Sequence, residues 1–243
     1  MATKEAFPTV NRSLIVALDV STASELQRLV GQLPAKLCRV KIGKELFTAL
    51  GPRAVEICHA AGHEVFLDLK FHDIPNTCAM AVRAAARLGV WMTNVHCAGG
   101  GPMMEAARAV LDGESHRPLL IGVTVLTSMD AATLQTLGVE RSLEDQVEAL
   151  AVLAQSSGLD GVVCSAQEAQ RLRETCGADF ALVTPGIRPA WAATDDQSRI
   201  VTPHDAVALG SDYLVIGRPV TRADDPAAAL ARIVDELARP ASL

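Results

Sequence analysis

Aromatic residues are scarce in this chain: five Phe, two Trp and one Tyr make up 3% of its 243 residues. The 49% hydrophobic content is therefore mostly aliphatic, the filling expected of helices packed on parallel strands. Positive charge is also short, with a net charge of −6. That argues against nonspecific nucleic-acid binding but leaves room for a small anionic ligand held by a local cationic cluster. No apolar run approaches the roughly 20 residues of a membrane span. The N-terminal Met1-Ala-Thr-Lys-Glu-Ala has neither the basic nor the apolar region of a signal peptide. None of the six cysteines, at positions 38, 58, 78, 97, 164 and 176, forms a C-x-x-C pair. They read as reduced packing residues of a cytoplasmic protein. His59 and His63 have helical spacing, but no third ligand is nearby. A solvated helix face is expected there, and no metal site.

What is present is a regular alternation. Apolar runs of strand length occur at Ser13–Val20, Leu37–Ile42, Glu64–Lys70, Val90–Val95, Leu119–Val125, Gly161–Cys164, Phe180–Val183 and Tyr213–Ile216. Stretches of helical period separate them, the first opened by the capping residues Ser21-Thr-Ala-Ser-Glu25. Regular β/α alternation implies a parallel sheet. Eight units in about 250 residues imply a closed (β/α)8 TIM barrel. The whole chain, 1–243, is expected to form a single barrel domain. An open doubly wound sheet is disfavoured, because no G-x-G-x-x-G follows the first strand. One long connection, Thr184 to Thr202, has the length of a lid or binding loop.

The third run carries the strongest signal, Phe66-Leu-Asp-Leu-Lys-Phe-His-Asp-Ile-Pro-Asn-Thr77. Asp68 and Lys70 interrupt a buried strand and, two residues apart, share one face. Asp73 follows just before a helix. Burying unpaired charge is costly, so these residues read either as a structural Asp–Lys pair with Asp73 capping the helix, or as a site.

The other strand ends favour a site. Asp19, Lys41, Asp68, Lys70, Thr127, Arg188 and Arg218 all fall at or just past carboxyl ends. Those ends form the active face of a barrel. Two subsites are expected. Arg188 and Arg218, with Gly217 allowing close backbone approach, follow the seventh and eighth strands, where barrels often bind phosphate. Asp19, Lys41, Asp68, Lys70 and Asp73 form an alternation of anions and cations suited to chemistry that sets a cation beside a carbanion.

Asp68-x-Lys70-x-x-Asp73-Ile-Pro-Asn-Thr77 resembles the signature of the orotidine 5′-phosphate decarboxylases. Ala17-Leu-Asp19, Val40-Lys41-Ile-Gly43, Thr124-Val-Leu-Thr127-Ser128, Thr184-Pro-Gly-Ile-Arg188-Pro and Ile216-Gly-Arg218-Pro match in the same order, from about residue 12 to 236. The shorter D-x-K-x-x-D is shared with 3-keto-gulonate-phosphate decarboxylase and hexulose-phosphate synthase, relatives that use Mg²⁺. The resemblance implies conversion of orotidine 5′-phosphate to UMP and CO2 without cofactor or metal. It implies Lys70 as proton donor to carbon 6, and Asp68 against the departing carboxylate. Asp19 and Lys41 would hold the ribose, Thr127 the pyrimidine, and Gln197 would bridge base and phosphate. Arg188, Gly217 and Arg218 would bind the phosphate. It further implies a homodimer in which Asp73 and Thr77 reach the partner's site.

Overall fold

A computed structural model describes residues 13–192 and 201–238. In chain order the elements are β1 (Leu14–Ala17), α1 (Ala23–Gln32), β2 (Arg39–Ile42), α2 (Lys44–Leu50), α3 (Arg53–Ala60), β3 (Val65–Phe71) and α4 (Pro75–Arg87). There follow β4 (Met92–His96), α5 (Gly101–Ala109), β5 (Leu119–Val123), α6 (Ala131–Thr136), α7 (Leu143–Ser156), β6 (Gly161–Val163) and α8 (Ala166–Cys176). The chain continues through β7 (Ala181–Thr184), α9 (Pro203–Ala208), β8 (Tyr213–Ile216), α10 (Arg218–Thr221) and α11 (Pro226–Leu237). The eight strands close in sequence order into a barrel, the architecture expected from the alternation. The described residues divide into two compact units, one up to Phe66 together with those from Gly186 onward, the other Leu67–Pro185.

The strands form where apolar runs can be buried on both faces. All four residues of β1, β7 and β8 are buried, as a parallel strand covered by helices requires. In the first unit, β1 lies between two parallel neighbours, with Ala17 opposite Lys41 on β2 and Val16 opposite Ile216 on β8. In the second, β4 to β7 run side by side, with Asn94 opposite Ile121 and Gly161 opposite Ala181. Gly161 is forced by that last pairing. A Cβ there would lie 2.1 Å from the Ala181 carbonyl oxygen, and 2.6 Å from Ala181 Cβ.

Helix starts follow the capping chemistry. Thr22 caps α1 and forms a reciprocal box with Glu25, whose Oε2 accepts from the Thr22 N–H at 3.2 Å while Thr22 Oγ1 accepts from the Glu25 N–H at 3.3 Å. Ser165 and Glu168 repeat the arrangement at α8. Between α7 and α8, the Arg171 guanidinium donates to both Asp145 and Glu148; Arg171 and then the Ser142 hydroxyl hold the Asp145 carboxyl below its usual range, and the Thr175 hydroxyl and then Arg171 do the same for Glu148.

Three details differ from the sequence reading. The residues after β8 form a short helix, α10, which the pattern does not reveal, because one turn is too short to show a helical period. α3 ends at Ala60, so His63 leaves the helix that its spacing from His59 implied. Its ring is buried rather than solvated, with Nε2 3.4 Å from the Val30 carbonyl oxygen. All six cysteines are free and buried, in keeping with a packing role. Desolvation pushes the thiols of Cys38, Cys58 and Cys97 up to about 12.

Backbone strain concentrates at Lys70. At φ 52° it is the one non-glycine residue in the left-handed region among the described residues. Its Cβ makes that conformation unfavourable by roughly 1–2 kcal/mol, so packing and hydrogen bonds around β3 must hold it there.

Two stability measurements test these assignments. Gly161→Ala should destabilise the protein by about 1–3 kcal/mol, the usual cost of overpacking; an unchanged urea midpoint would mean that β6 and β7 part freely. At the strained position, Lys70→Gly should be more stable than Lys70→Ala by about 1 kcal/mol. Both variants lack the lysine's own contacts, so the difference isolates the backbone, and equal stabilities would contradict strain.

Candidate active site

The second unit assembles its polar centre from adjacent strands. Lys70 Nζ donates to Asp68 Oδ1 at 2.6 Å, the pairing expected from two residues on one strand face. Asn94, on β4, completes the group. Its Nδ2 donates to the same Asp68 oxygen at 2.7 Å, and its Oδ1 accepts from the Lys70 backbone N–H at 2.8 Å. Asn94 has no exposed surface and Asp68 is 8% exposed. Beside them, the Thr93 hydroxyl donates to the Leu67 carbonyl at 3.1 Å and ties β4 to β3. At such a separation the Asp68–Lys70 Coulomb attraction is about 6 kcal/mol for an effective dielectric of 20, before the cost of desolvation. Both side chains are thereby fixed in direction.

Asp73 and Thr77 are placed differently. Both are exposed, Asp73 on the connection after β3 and Thr77 in the first turn of α4. Asp73 Oδ1 accepts from the Ile74 N–H at 2.6 Å. The N-cap position of α4 belongs to Ile74, without a side-chain cap, so Asp73 is not the helix cap that a purely structural role would make it. No ion pair joins Asp73 to Lys70. Between Asp73 and Thr77 in sequence stands Ile74, a large apolar side chain left 67% exposed. Thr127 is exposed in a turn after β5, which the Met129 N–H closes onto the Leu126 carbonyl at 2.8 Å.

The first unit supplies a second group. Lys41 lies on β2, and its carbonyl accepts from the Leu18 N–H at 3.0 Å, which extends the β1–β2 pairing to the residue before Asp19. Asp19 and Gly217 are brought together, since a Cβ on Gly217 would lie 3.5 Å from Asp19 Oδ2. Similarly, a Cβ on Gly43 would lie 3.4 Å from Lys41 Nζ. The absence of side chains at these two glycines keeps space open beside a carboxylate and an ammonium. Arg188 is buried, on a segment whose Ile187 bridges to Val201 and whose own N–H donates to the Val201 carbonyl at 3.1 Å. Arg218 is half-buried and opens α10 directly after Gly217. Gln197 lies outside the described residues.

Asn94 is the residue that the sequence reading passed over. It stands in a buried strand, Met-Thr-Asn-Val-His, where a buried amide requires partners for both of its ends. That requirement was the available signal, although it does not say which strand provides the partners. Among the described residues, no three His, Cys, Asp or Glu side chains gather in the way a metal ion needs.

The comparisons with known proteins agree with one another. The model of the orotidine 5′-phosphate decarboxylase / HUMPS family matches residues 12–233. The chain is 61% identical to the orotidine 5′-phosphate decarboxylase of Hahella chejuensis, over 92% of this chain and 96% of that protein. It is 57% identical to the enzyme of the same name from Saccharophagus degradans, over 93% and 95%. Among solved structures, the orotidine 5′-phosphate decarboxylase of Lactobacillus acidophilus superposes with a TM-score of 0.84 at 39% identity, covering 94% of this chain and all of that one. With a family match over nearly its whole length and relatives of this identity, the chain belongs to the orotidine 5′-phosphate decarboxylase / HUMPS family.

Proposed function

We propose that the protein decarboxylates orotidine 5′-phosphate to UMP and CO2 in pyrimidine biosynthesis, with Lys70 as the proton donor and without a cofactor. The observation that carries this reading is the ammonium of Lys70, fixed 2.6 Å from Asp68 Oδ1 at the end of β3. In the reaction, the bond between carbon 6 and the carboxyl carbon breaks and its electron pair stays on carbon 6. The carboxyl group leaves as CO2. Lys70 transfers a proton from Nζ to carbon 6 and regains one from solvent. A fixed cation beside the carbon that becomes negative stabilises the transition state more than the ground state. Enzymes lower barriers by about 8–23 kcal/mol, and a cofactor-free decarboxylation needs much of that range. Asp68 faces the departing carboxylate and keeps Lys70 aimed.

The remaining roles follow the resemblance. Asp19 and Lys41 hold the ribose hydroxyls, Thr127 contacts the pyrimidine, and Gln197 bridges base and phosphate. Arg188, Gly217 and Arg218 bind the phosphate, whose binding energy is realised in the transition state. The proximity of Gly217 to Asp19 supports the placing of phosphate and ribose contacts side by side in the first unit. The protein acts in the cytoplasm as a homodimer, and Asp73 and Thr77 serve the partner's site. Exposed Ile74, between Asp73 and Pro75, supports a protein contact at that segment.

Two experiments test this. Turnover of orotidine 5′-phosphate, followed spectrophotometrically, should persist in excess EDTA. Activity lost on chelation and restored by Mg²⁺ would overturn the cofactor-free part, and a protein that binds UMP but releases no CO2 would overturn the whole. Separately, Lys70→Ala and Asp73→Asn should each be inactive alone. Mixed with subunit exchange, they should regain activity toward about a quarter of intact sites, because half the dimers are mixed and each mixed dimer has one unaltered site. Activity that stays at the level of the separate variants would place Asp73 in its own subunit's site.

A further inference from the structure

The mechanism above uses Lys70 and Asp68 but leaves unexplained how a strand end holds a lysine in a conformation that lysine disfavours. Three observations converge on one side chain. Lys70 is at φ 52°. Its backbone N–H is taken by Asn94 Oδ1 at 2.8 Å. The same amide donates through Nδ2, at 2.7 Å, to the Asp68 oxygen that also receives Lys70 Nζ. Asn94 thus bonds one end to the lysine's backbone and the other to the lysine's counterion, and it has no exposed surface.

We propose that Asn94 is a positioning residue for the decarboxylation, fixing the direction of the Lys70 ammonium by gripping Lys70 and Asp68 together. This rests on the function proposed above. The chemistry of the amide is specific to the task. A hydroxyl is shorter and carries its donor and acceptor on one atom. A carboxylate offers acceptors alone and would set a second negative charge against Asp68. An amide presents an acceptor to the N–H and a donor to the carboxylate from opposite ends of one planar group. Each bond to an ionised group contributes more than a neutral one, and the bond to the Lys70 N–H offsets the left-handed backbone. Without Asn94, Lys70 would be free to relax toward the ordinary extended conformation, which swings its side chain away from the position that its φ now dictates.

The test combines two substitutions and reads kcat, KM and their pH dependence. Asn94→Ala should lower kcat by roughly 100-fold with KM little changed, the expected result of misplacing a reacting group by about 1 Å. Asn94→Asp keeps the size and the acceptor but removes the donor while its new carboxyl is ionised. Burial and the neighbouring Asp68 raise the pKa of that carboxyl, and when protonated it again offers one acceptor and one donor. The ratio of Asn94→Asp kcat to the parent's should therefore be low at neutral pH and rise as pH falls. A role confined to packing would not produce that recovery. A kcat near the parent's in Asn94→Ala overturns the proposal, as does a ratio for Asn94→Asp that stays flat across pH. Should Asn94→Ala fail to fold, the pH dependence of Asn94→Asp decides alone. If the parent itself does not turn over orotidine 5′-phosphate, the proposed function has failed rather than the role of Asn94.

Discussion

A parallel strand covered on both faces has few places for charge. Along most of its length a charged side chain would be stranded among aliphatic groups, at a cost of several kcal/mol. The ends are the exception, and most of the polar residues singled out here lie at or beyond them. Asp68 is the departure from that rule. It lies inside β3, with Leu69, Lys70 and Phe71 still to follow in the strand, and it is tolerated because an ammonium and an amide donate to it. Without those donors the burial penalty would fall on the fold itself. In the proposed reaction the same cluster would serve stability and chemistry at once.

The balance of magnitudes favours the observed geometry. Holding a lysine in the left-handed region costs roughly 1–2 kcal/mol. Hydrogen bonds to charged groups contribute roughly 1.5–3 kcal/mol each, and Asp68 Oδ1 receives two of them. The strain is local and the compensation is local, so no distant part of the chain needs to hold it. An orienting contact between neighbouring strands also moves less than one on a loop. This accords with the proton-donor role proposed for Lys70.

How far the sequence reveals this depends on the kind of information each feature needs. The strands are legible because burial on both faces writes them as unbroken aliphatic runs, and Tyr213–Ile216 comes out to the residue. The helix cap at Thr22 is legible because its partner lies three residues away. Asp68 and Lys70 stand out as charges in an apolar run. Asn94 does not, because one amide in a strand names no partner, and its two partners lie 24 and 26 positions earlier in the chain. The left-handed Lys70 is equally silent, since no glycine or asparagine marks it. His63 misled through spacing alone: four residues from His59 imply a shared helix face only if the helix continues, and α3 stops at Ala60.

The buried thiols carry a consequence for the life history of the molecule. With Cys38, Cys58 and Cys97 held at about 12, these three thiols carry almost no thiolate at neutral pH, and oxidants and alkylating agents meet little that is reactive there. The thiols regain an ordinary pKa only when the surrounding structure opens. Chemical damage is thereby gated by the opening equilibrium rather than by the concentration of the reagent alone. Cys38 and Cys58 lie in the first unit, and Cys78, Cys97, Cys164 and Cys176 in the second. Each unit thus contains at least one thiol whose modification would report local opening of its surroundings.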